Sequence, residues 1–203
     1  DTDRSRGLGD VYKRQLQDHV VKAEILLHGS FATTGIGHGT DKALIAGLLG
    51  MRPDDIRIPD SFFLAKKDGM EFSFSTITLK DAHPNTAVLR LTGEHGRKIE
   101  VQAASIGGGR ILIAKLDGIE VNFSAEKPTL IVHNVDQPGH VAQVTSMLAE
   151  KQVNIATLQL YRDKRGGYAV MVIETDQEVP EESVAWLEQL DGIIKVTYIN
   201  VEE

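Results

Sequence analysis

The chain contains no cysteine among its 203 residues. It therefore has no disulfide framework, and it supplies no thiolate for zinc, for an iron–sulfur cluster or for nucleophilic catalysis. No apolar run approaches the roughly 20 residues that a membrane-spanning helix needs, and no charged-then-apolar secretory leader opens the chain. With a hydrophobic content of 41%, these absences predict a cytoplasmic globular protein without a membrane partner.

An excess of basic residues is also missing. Residues 1–127 carry 17 basic and 17 acidic side chains, whereas residues 128–203 carry 5 and 12, so the C-terminal part holds the whole net charge of −7. Neither part offers the basic surface that binds a phosphate backbone, so nucleic acid is not an expected partner. The shift in composition favours a domain boundary near residue 127.

The chain divides into three segments by patterning. Residues 1–15 show no periodicity and are typical of adapter sequence or a disordered tail, so no helix or strand is predicted there. Residues 16–125 predict an α+β domain, a short linker follows over residues 124–128, and residues 129–203 predict a second α+β domain.

The first domain begins with a buried strand over residues 20–28. A helix over residues 40–49 has Thr40 as its N-cap, and a second helix covers residues 59–67. The remaining pattern predicts an antiparallel set of strands over residues 71–79, 86–91, 98–105, 110–116 and 119–123.

Residues 28–50, which begin at the end of the first strand and run into the first helix, are rich in glycine and hydroxyl residues and contain two histidines. The third glycine of a dinucleotide fingerprint would fall at Thr40, and ten residues separate His28 from His38, which matches no usual metal pattern. The segment is either a tight packing turn or a surface for an anion or a partner. On the second interpretation, the candidate interface or cleft-facing residues are His28, Ser30, His38, Thr40 and Asp41.

The second domain has the element order β-α-β-β-α-β of a ferredoxin-like fold. Its first turn, residues 136–140, leaves free amides at a helix start that suit a carboxylate. Asn134, Asp136 and Asn154 could meet the ammonium group of the same ligand, so an amino-acid site is plausible. The alternative is a turn followed by a helix cap.

Residues 129–203 resemble an ACT domain, a regulatory module that binds amino acids or similar small ligands, usually where two domains pair. The resemblance lies in Val-His-Asn-Val-Asp-Gln-Pro-Gly-His, which ends at His140, and in Val-Asn-Ile, which ends at Ile155. His140 stands where a small aliphatic residue is common. The resemblance implies self-association and a small amino-acid ligand held by Asn134, Asp136, Gly139, His140, Asn154 and Ile155.

The chain from residue 16 onward also resembles the β subunit of iron–sulfur L-serine dehydratase. The first domain is similar to the allosteric substrate-binding domain of some phosphoglycerate dehydrogenases as well. The motifs that carry the first resemblance are His28-Gly-Ser-Phe-Ala, Gly37-His-Gly-Thr-Asp-Lys42, Gly47-Leu-Leu, Asp55-Ile-Arg-Ile-Pro-Asp-Ser61, His83-Pro-Asn-Thr86 and Ser105-Ile-Gly-Gly-Gly109.

This resemblance implies a subunit of an L-serine ammonia-lyase, which converts serine to pyruvate and ammonia. The [4Fe-4S] cluster is then expected on an α subunit, because this chain has no cysteine to bind it. The chain itself would support assembly and ligand sensing, would be inactive alone, and would supply neither a catalytic residue nor a metal ligand. The family's Gly-Pro-Ser-Ser-Ser-His-Thr segment is absent, which predicts a truncated N-terminus. A non-catalytic amino-acid-binding regulatory module is the alternative.

Overall fold

The computed structural model describes residues 18–35, 37–52, 54–107, 110–124 and 126–199. The predicted tail over residues 1–15 lies outside these ranges. The architecture is α+β, as the sequence predicts, with one six-stranded and one four-stranded sheet. The division into two compact units falls between Gly118 and Ile119. No helix within the described ranges is long and apolar enough to cross a membrane.

The first sheet has the strand order β2-β1-β3-β4-β5-β6. A short 3₁₀ turn, Ile58–Asp60, precedes the third helix of this part of the chain. The elements are β1 (Val20–Leu27), α1 (Ser30–Thr33), α2 (Thr40–Leu48), α3 (Ser61–Lys67), β2 (Glu71–Thr76), β3 (Thr86–Gly93), β4 (Lys98–Ser105), β5 (Ile111–Leu116) and β6 (Ile119–Phe123).

The first sheet is not wholly antiparallel, which corrects the prediction for β2. This strand runs parallel to β1, with Leu27 beside Thr76, and α2 and α3 lie in the connection between the two strands. A parallel pair needs such a crossover, because a tight turn can only reverse the chain. Phe72 and Phe74 share one face of β2, since both rings contact Phe62 of α3.

Two local predictions near α2 are wrong. The residue that caps the helix is Gly39, in the left-handed region at φ 75°, and Thr40 is the first helical residue instead of the N-cap. The segment before it also contains α1, which the crowded glycines and hydroxyls did not reveal. The α2 residues from Ala43 to Leu48 are all buried, as expected for a helix that is apolar on all sides.

Residues 129–199 of the second unit confirm the predicted βαββαβ order. Its sheet has the strand order β10-β7-β9-β8, so β7 and β9 are central and β8 is an edge. The elements are β7 (Thr129–Val135), α4 (His140–Glu150), β8 (Ile155–Arg162), β9 (Tyr168–Thr175), α5 (Glu181–Glu188) and β10 (Ile193–Ile199).

One face of this second sheet forms a core with both helices. Val144 and Leu148 of α4 and Leu187 of α5 are buried together with alternate residues of the central strands, such as Val132 and Met171. Val141 of α4 is exposed and does not belong to this core. Met147 takes its place in the core, since it lies on the same helical face as Val144.

Candidate functional site

Three segments that resemble the dehydratase family meet at one edge of the first sheet. We call residues 28–30, 83–86 and 105 the loop edge. The carboxyl end of β1 lies beside the start of β3, where the His28 amide donates to the Thr86 carbonyl at 2.9 Å. The start of β3 in turn lies beside the end of β4, where the Ser105 amide donates to the Asn85 carbonyl at 3.0 Å.

His28 holds a neighbouring segment in place. Its Nδ1 accepts a hydrogen bond from the Leu79 amide at 3.2 Å. This nitrogen therefore carries no hydrogen, and the Ile77 carbonyl at 3.3 Å is a contact without a hydrogen bond. Only Nε2 of the half-buried ring remains for another partner.

The backbone at Gly29 and Pro84 is in very close contact. Gly29 has φ +57°, and a Cβ atom there would lie 2.4 Å from the Pro84 carbonyl oxygen. That same oxygen accepts from the Ser30 amide at 2.8 Å. Residues 83–86 are fixed from within as well, because the Thr86 hydroxyl donates to the His83 carbonyl at 2.6 Å. Only a glycine fits between these two segments.

The loop edge presents few polar atoms that are not already used. Ser30 is exposed, whereas the Ser105 side chain is completely buried and its hydroxyl has no hydrogen-bond partner among the described residues. The described residues contain no group of three histidine or acidic side chains that could hold a metal ion. The arrangement suits positioning and docking better than metal chemistry.

The other predicted loop residues lie at the start of α2. His38 is exposed and Thr40 is buried. The Asp41 carboxylate accepts from the Lys42 amide at 2.8 Å. The Thr40 amide donates to the Gly35 carbonyl at 2.9 Å, which closes a tight turn. These contacts support the packing-turn interpretation for this part of the segment.

The second candidate site lies where β7 leads into α4. Asn134 donates from Nδ2 to the Val135 carbonyl at 2.7 Å, but its Oδ1 is buried without a partner among the described residues. His140, the first residue of α4, contacts Gln143 through Nδ1 at 3.3 Å. Its buried Nε2 has no partner either. Gly139 precedes the helix at φ 107°.

Asp136 is already engaged within the chain. Its Oδ2 accepts from the Gly166 amide at 2.9 Å and from the Arg162 guanidinium at 3.2 Å. The Gly166 amide, and after it Arg162, hold the pKa of this carboxyl below its usual range. Asp136 therefore ties the β8–β9 turn to the end of β7.

Asn154 and Ile155 lie at the opposite end of the sheet. Asn134 pairs with Ala169 of β9, whereas Ile155 pairs with Thr175. Six residues along a strand correspond to about 20 Å. Asn154 instead donates to the Asp176 carboxylate at 2.6 Å. One copy of the chain therefore does not bring the predicted ligand residues together.

Comparisons with known proteins match two parts of the chain to two family models. A family model described as "Serine dehydratase beta chain" matches residues 7–66, and one described as "ACT domain" matches residues 128–192. The L-serine dehydratase beta chain of Peptoniphilus asaccharolyticus is 35% identical over 89% of this chain and 82% of its own length. The chain belongs to the L-serine dehydratase beta chain family.

Other proteins are also similar to this chain. A probable L-serine dehydratase beta chain of Bacillus subtilis is 37% identical over 86% of this chain and 79% of its own length. A D-3-phosphoglycerate dehydrogenase of Methanocaldococcus jannaschii is 27% identical over 96% of this chain but only 36% of its own length. The second similarity agrees with the resemblance of the first domain to part of such dehydrogenases.

Asn85 and Ser105 lie in the family motifs given above, but the sequence does not mark them as candidate site residues. The Asn85 carbonyl accepts a hydrogen bond from the Ser105 amide, and both residues lie at the loop edge. The signal that could have found them is the pairing of strands. Once β3 is placed antiparallel between β1 and β4, the start of β3 must lie beside the ends of both neighbours.

Proposed function

We propose that this chain is the β subunit of an L-serine ammonia-lyase, which deaminates L-serine to pyruvate and ammonia together with an α subunit. The similarity to two L-serine dehydratase beta chains over most of both lengths carries the proposal. The chain alone is inactive, and the loop edge with His38 forms the surface that faces the α subunit.

The [4Fe-4S] cluster of the proposed enzyme does not fit this chain. Such clusters are bound by cysteine thiolates, and the chain contains no cysteine. The cluster therefore belongs to the α subunit, and the residues described above bind and position instead of holding it.

Anaerobic reconstitution tests the proposal directly. The chain is mixed with a cluster-loaded α subunit, and pyruvate formation from L-serine is followed. We expect activity only in the mixture and co-purification of the two chains. Ser30→Arg, at the exposed part of the loop edge, should weaken assembly, whereas Ser73→Arg, in the middle of β2, should not. An α subunit that is equally active alone and never retains this chain would refute the proposal.

We further propose that the ACT domain self-associates through the edge strand β8. Leu158 and Leu160 lie on this strand and are 37% and 47% exposed, so pairing with a second copy would bury them. Antiparallel pairing of two β8 strands would also place Asn154 of the second copy near Arg162 and Asp136 of the first. Two copies would then assemble the ligand residues that one copy separates.

Sedimentation and calorimetry test the assembly. Leu160→Lys should produce monomers, whereas Val141→Lys, which alters another exposed apolar residue, on α4, should not. With L-serine as the probe, Asn134→Ala and Asn154→Ala should each abolish binding. A mixture of the two variants should recover binding in the mixed dimer, because one of its two sites keeps both asparagines. Failure of the mixture to recover binding would contradict a shared site.

A regulatory module without a lyase partner is the second candidate. The similarity to part of a D-3-phosphoglycerate dehydrogenase favours it, because the same type of segment occurs there within a longer chain. A neighbouring reading frame that encodes a cysteine-bearing α subunit would support the lyase, and its absence would support the module.

A further inference from the structure

The two helices of the second unit leave a groove that the proposed amino-acid site does not use. It lies between α4 and α5 and encloses about 620 Å³, which is within the usual range for small-molecule sites. Its lining includes Met147, Glu150, Lys151, Glu182, Ser183 and Trp186. None of them belongs to the turn at the start of α4.

The exposed surface of the groove is mostly apolar and includes an aromatic ring. Met147 is nearly buried, whereas Trp186 is 44% exposed. Trp186 is the only tryptophan in the chain. Residues three apart on a helix share a face, so Ser183 lies beside Trp186 and Glu150 beside Met147. A half-exposed indole next to a methionine provides a surface for a flat apolar group.

Ser183 lines this groove and has a hydroxyl group that makes no hydrogen bond to the described residues. Its side chain is 2% exposed, and its hydroxyl has no partner among the described residues. A buried hydroxyl without a partner is costly, and each such group in a folded protein needs an explanation. A ligand oxygen that accepts a hydrogen bond would satisfy it.

The charges around the groove favour a cation. Lys151 and Glu182 neutralise each other through an ion pair of 3.0 Å. No ion pair joins Glu150 to another residue of the described ranges, and this carboxylate ends α4, whose last turn contains no basic residue. The carboxyl end of a helix is already negative, so Glu150 adds to a potential that attracts positive charge.

We propose that the groove between α4 and α5 binds a small aromatic amine as its ammonium ion. The ring lies between Met147 and Trp186, the ammonium group lies near Glu150, and an oxygen on the ring accepts from Ser183. This site is separate from the turn at His140, and the proposal does not depend on the lyase function.

The fluorescence of the single tryptophan tests the proposal in the full chain. Phenethylammonium should shift Trp186 emission saturably at millimolar concentration. The neutral phenethyl alcohol should bind roughly threefold to fivefold more weakly, as expected for the loss of one exposed ion pair, and anionic phenylpropionate should not saturate. Equal binding of all three probes, or no saturable shift with phenethylammonium, would overturn the proposal.

Matched variants separate the two polar contacts. Glu150→Gln should reduce phenethylammonium binding to the level of the alcohol, whereas Glu188→Gln, an exposed change elsewhere on α5, should leave it unchanged. By calorimetry, tyramine should bind more tightly than phenethylammonium, and Ser183→Ala should remove this difference. A Glu150→Gln variant that binds the cation normally would overturn the charge argument, even if the variant of Ser183 behaves as expected.

Discussion

The two strand ends that carry the candidate sites use their polar atoms in opposite ways. At the loop edge, the backbone groups of residues 28–30 and 83–86 bond to one another, and only Ser105 keeps a buried hydroxyl unpaired. At the start of α4, both Asn134 and His140 keep buried atoms without partners among the described residues. A satisfied edge is rigid and suits docking, whereas unmet hydrogen bonds suit a ligand that supplies the missing partners.

The largest expected effect is on the rigid edge. Gly29→Ala would place a Cβ atom against the Pro84 carbonyl in a backbone conformation that alanine rarely adopts, so we expect a loss of roughly 3 kcal/mol in the free energy of unfolding. Gly96→Ala, at φ +79° in open space, should cost only about 1 kcal/mol. Urea denaturation measures both. Equal losses would show that the contact with Pro84 is not what fixes the edge.

The second prediction is that acid destabilises the second unit. Burial, and to a smaller extent Lys195, lowers the pKa of His133 to about 4. In the unfolded chain His133 takes up a proton near pH 6.5, whereas in the folded chain it stays neutral down to about pH 4. The free energy of unfolding is therefore highest above pH 6.5 and falls as the pH decreases toward 4. We expect a loss of about 2 kcal/mol between about pH 7 and about pH 5.

Trp186 fluorescence is the measurement for this effect, because it reports on the second unit alone. His133→Leu should flatten the pH dependence, and His38→Gln, an exposed histidine of the first unit, should not. An unchanged slope in His133→Leu would assign the acid sensitivity to another group.

The third prediction concerns how tightly His140 is held. A Cβ atom on Gly192 would lie 2.6 Å from its Nε2. Gly192→Ala should therefore destabilise the wild-type chain more than a His140→Ala chain. A double-mutant cycle should give a coupling free energy of about 1 kcal/mol. Purely additive losses would mean that the ring moves aside freely and that its position does not depend on Gly192.

The smallest effect is expected at the pair of Asp18 and His95, in which the His95 side chain is exposed and the Asp18 side chain is nearly buried. Their side chains are 2.8 Å apart, and the hydrogen bond raises the pKa of His95 and lowers that of Asp18. The contribution of His95 is present below its unfolded pKa and is lost as the pH rises through its folded value. The contribution of Asp18 is lost as the pH falls through its own lowered value. NMR titration of His95 with and without Asp18→Asn should show its pKa fall, and an unchanged pKa would contradict the pairing.

The sequence predicts more of the second unit than of the first. Its element order is confirmed because each helix repeats its apolar residues with helical spacing and each strand ends at a clear turn. In the first unit, the parallel partner of β1 was missed, since alternation in β2 does not reveal the direction of its neighbour. Side-chain patterns also contain no information on which polar atoms stay unpaired. The unmet groups of Asn134, His140 and Ser183 appear only when the surrounding elements are in place.

The central position of β1 has a consequence for the order of folding during synthesis. Both of its partners, β2 and β3, follow it in the chain, and β3 is complete only at Gly93. Until that residue leaves the ribosome, the strand with Ala23, Ile25 and Leu27 cannot pair on both edges. Chains that stop before β3 should therefore expose an apolar strand with a free edge and aggregate. Measuring the aggregation of fragments of increasing length should show that aggregation decreases once a fragment extends past the end of β3.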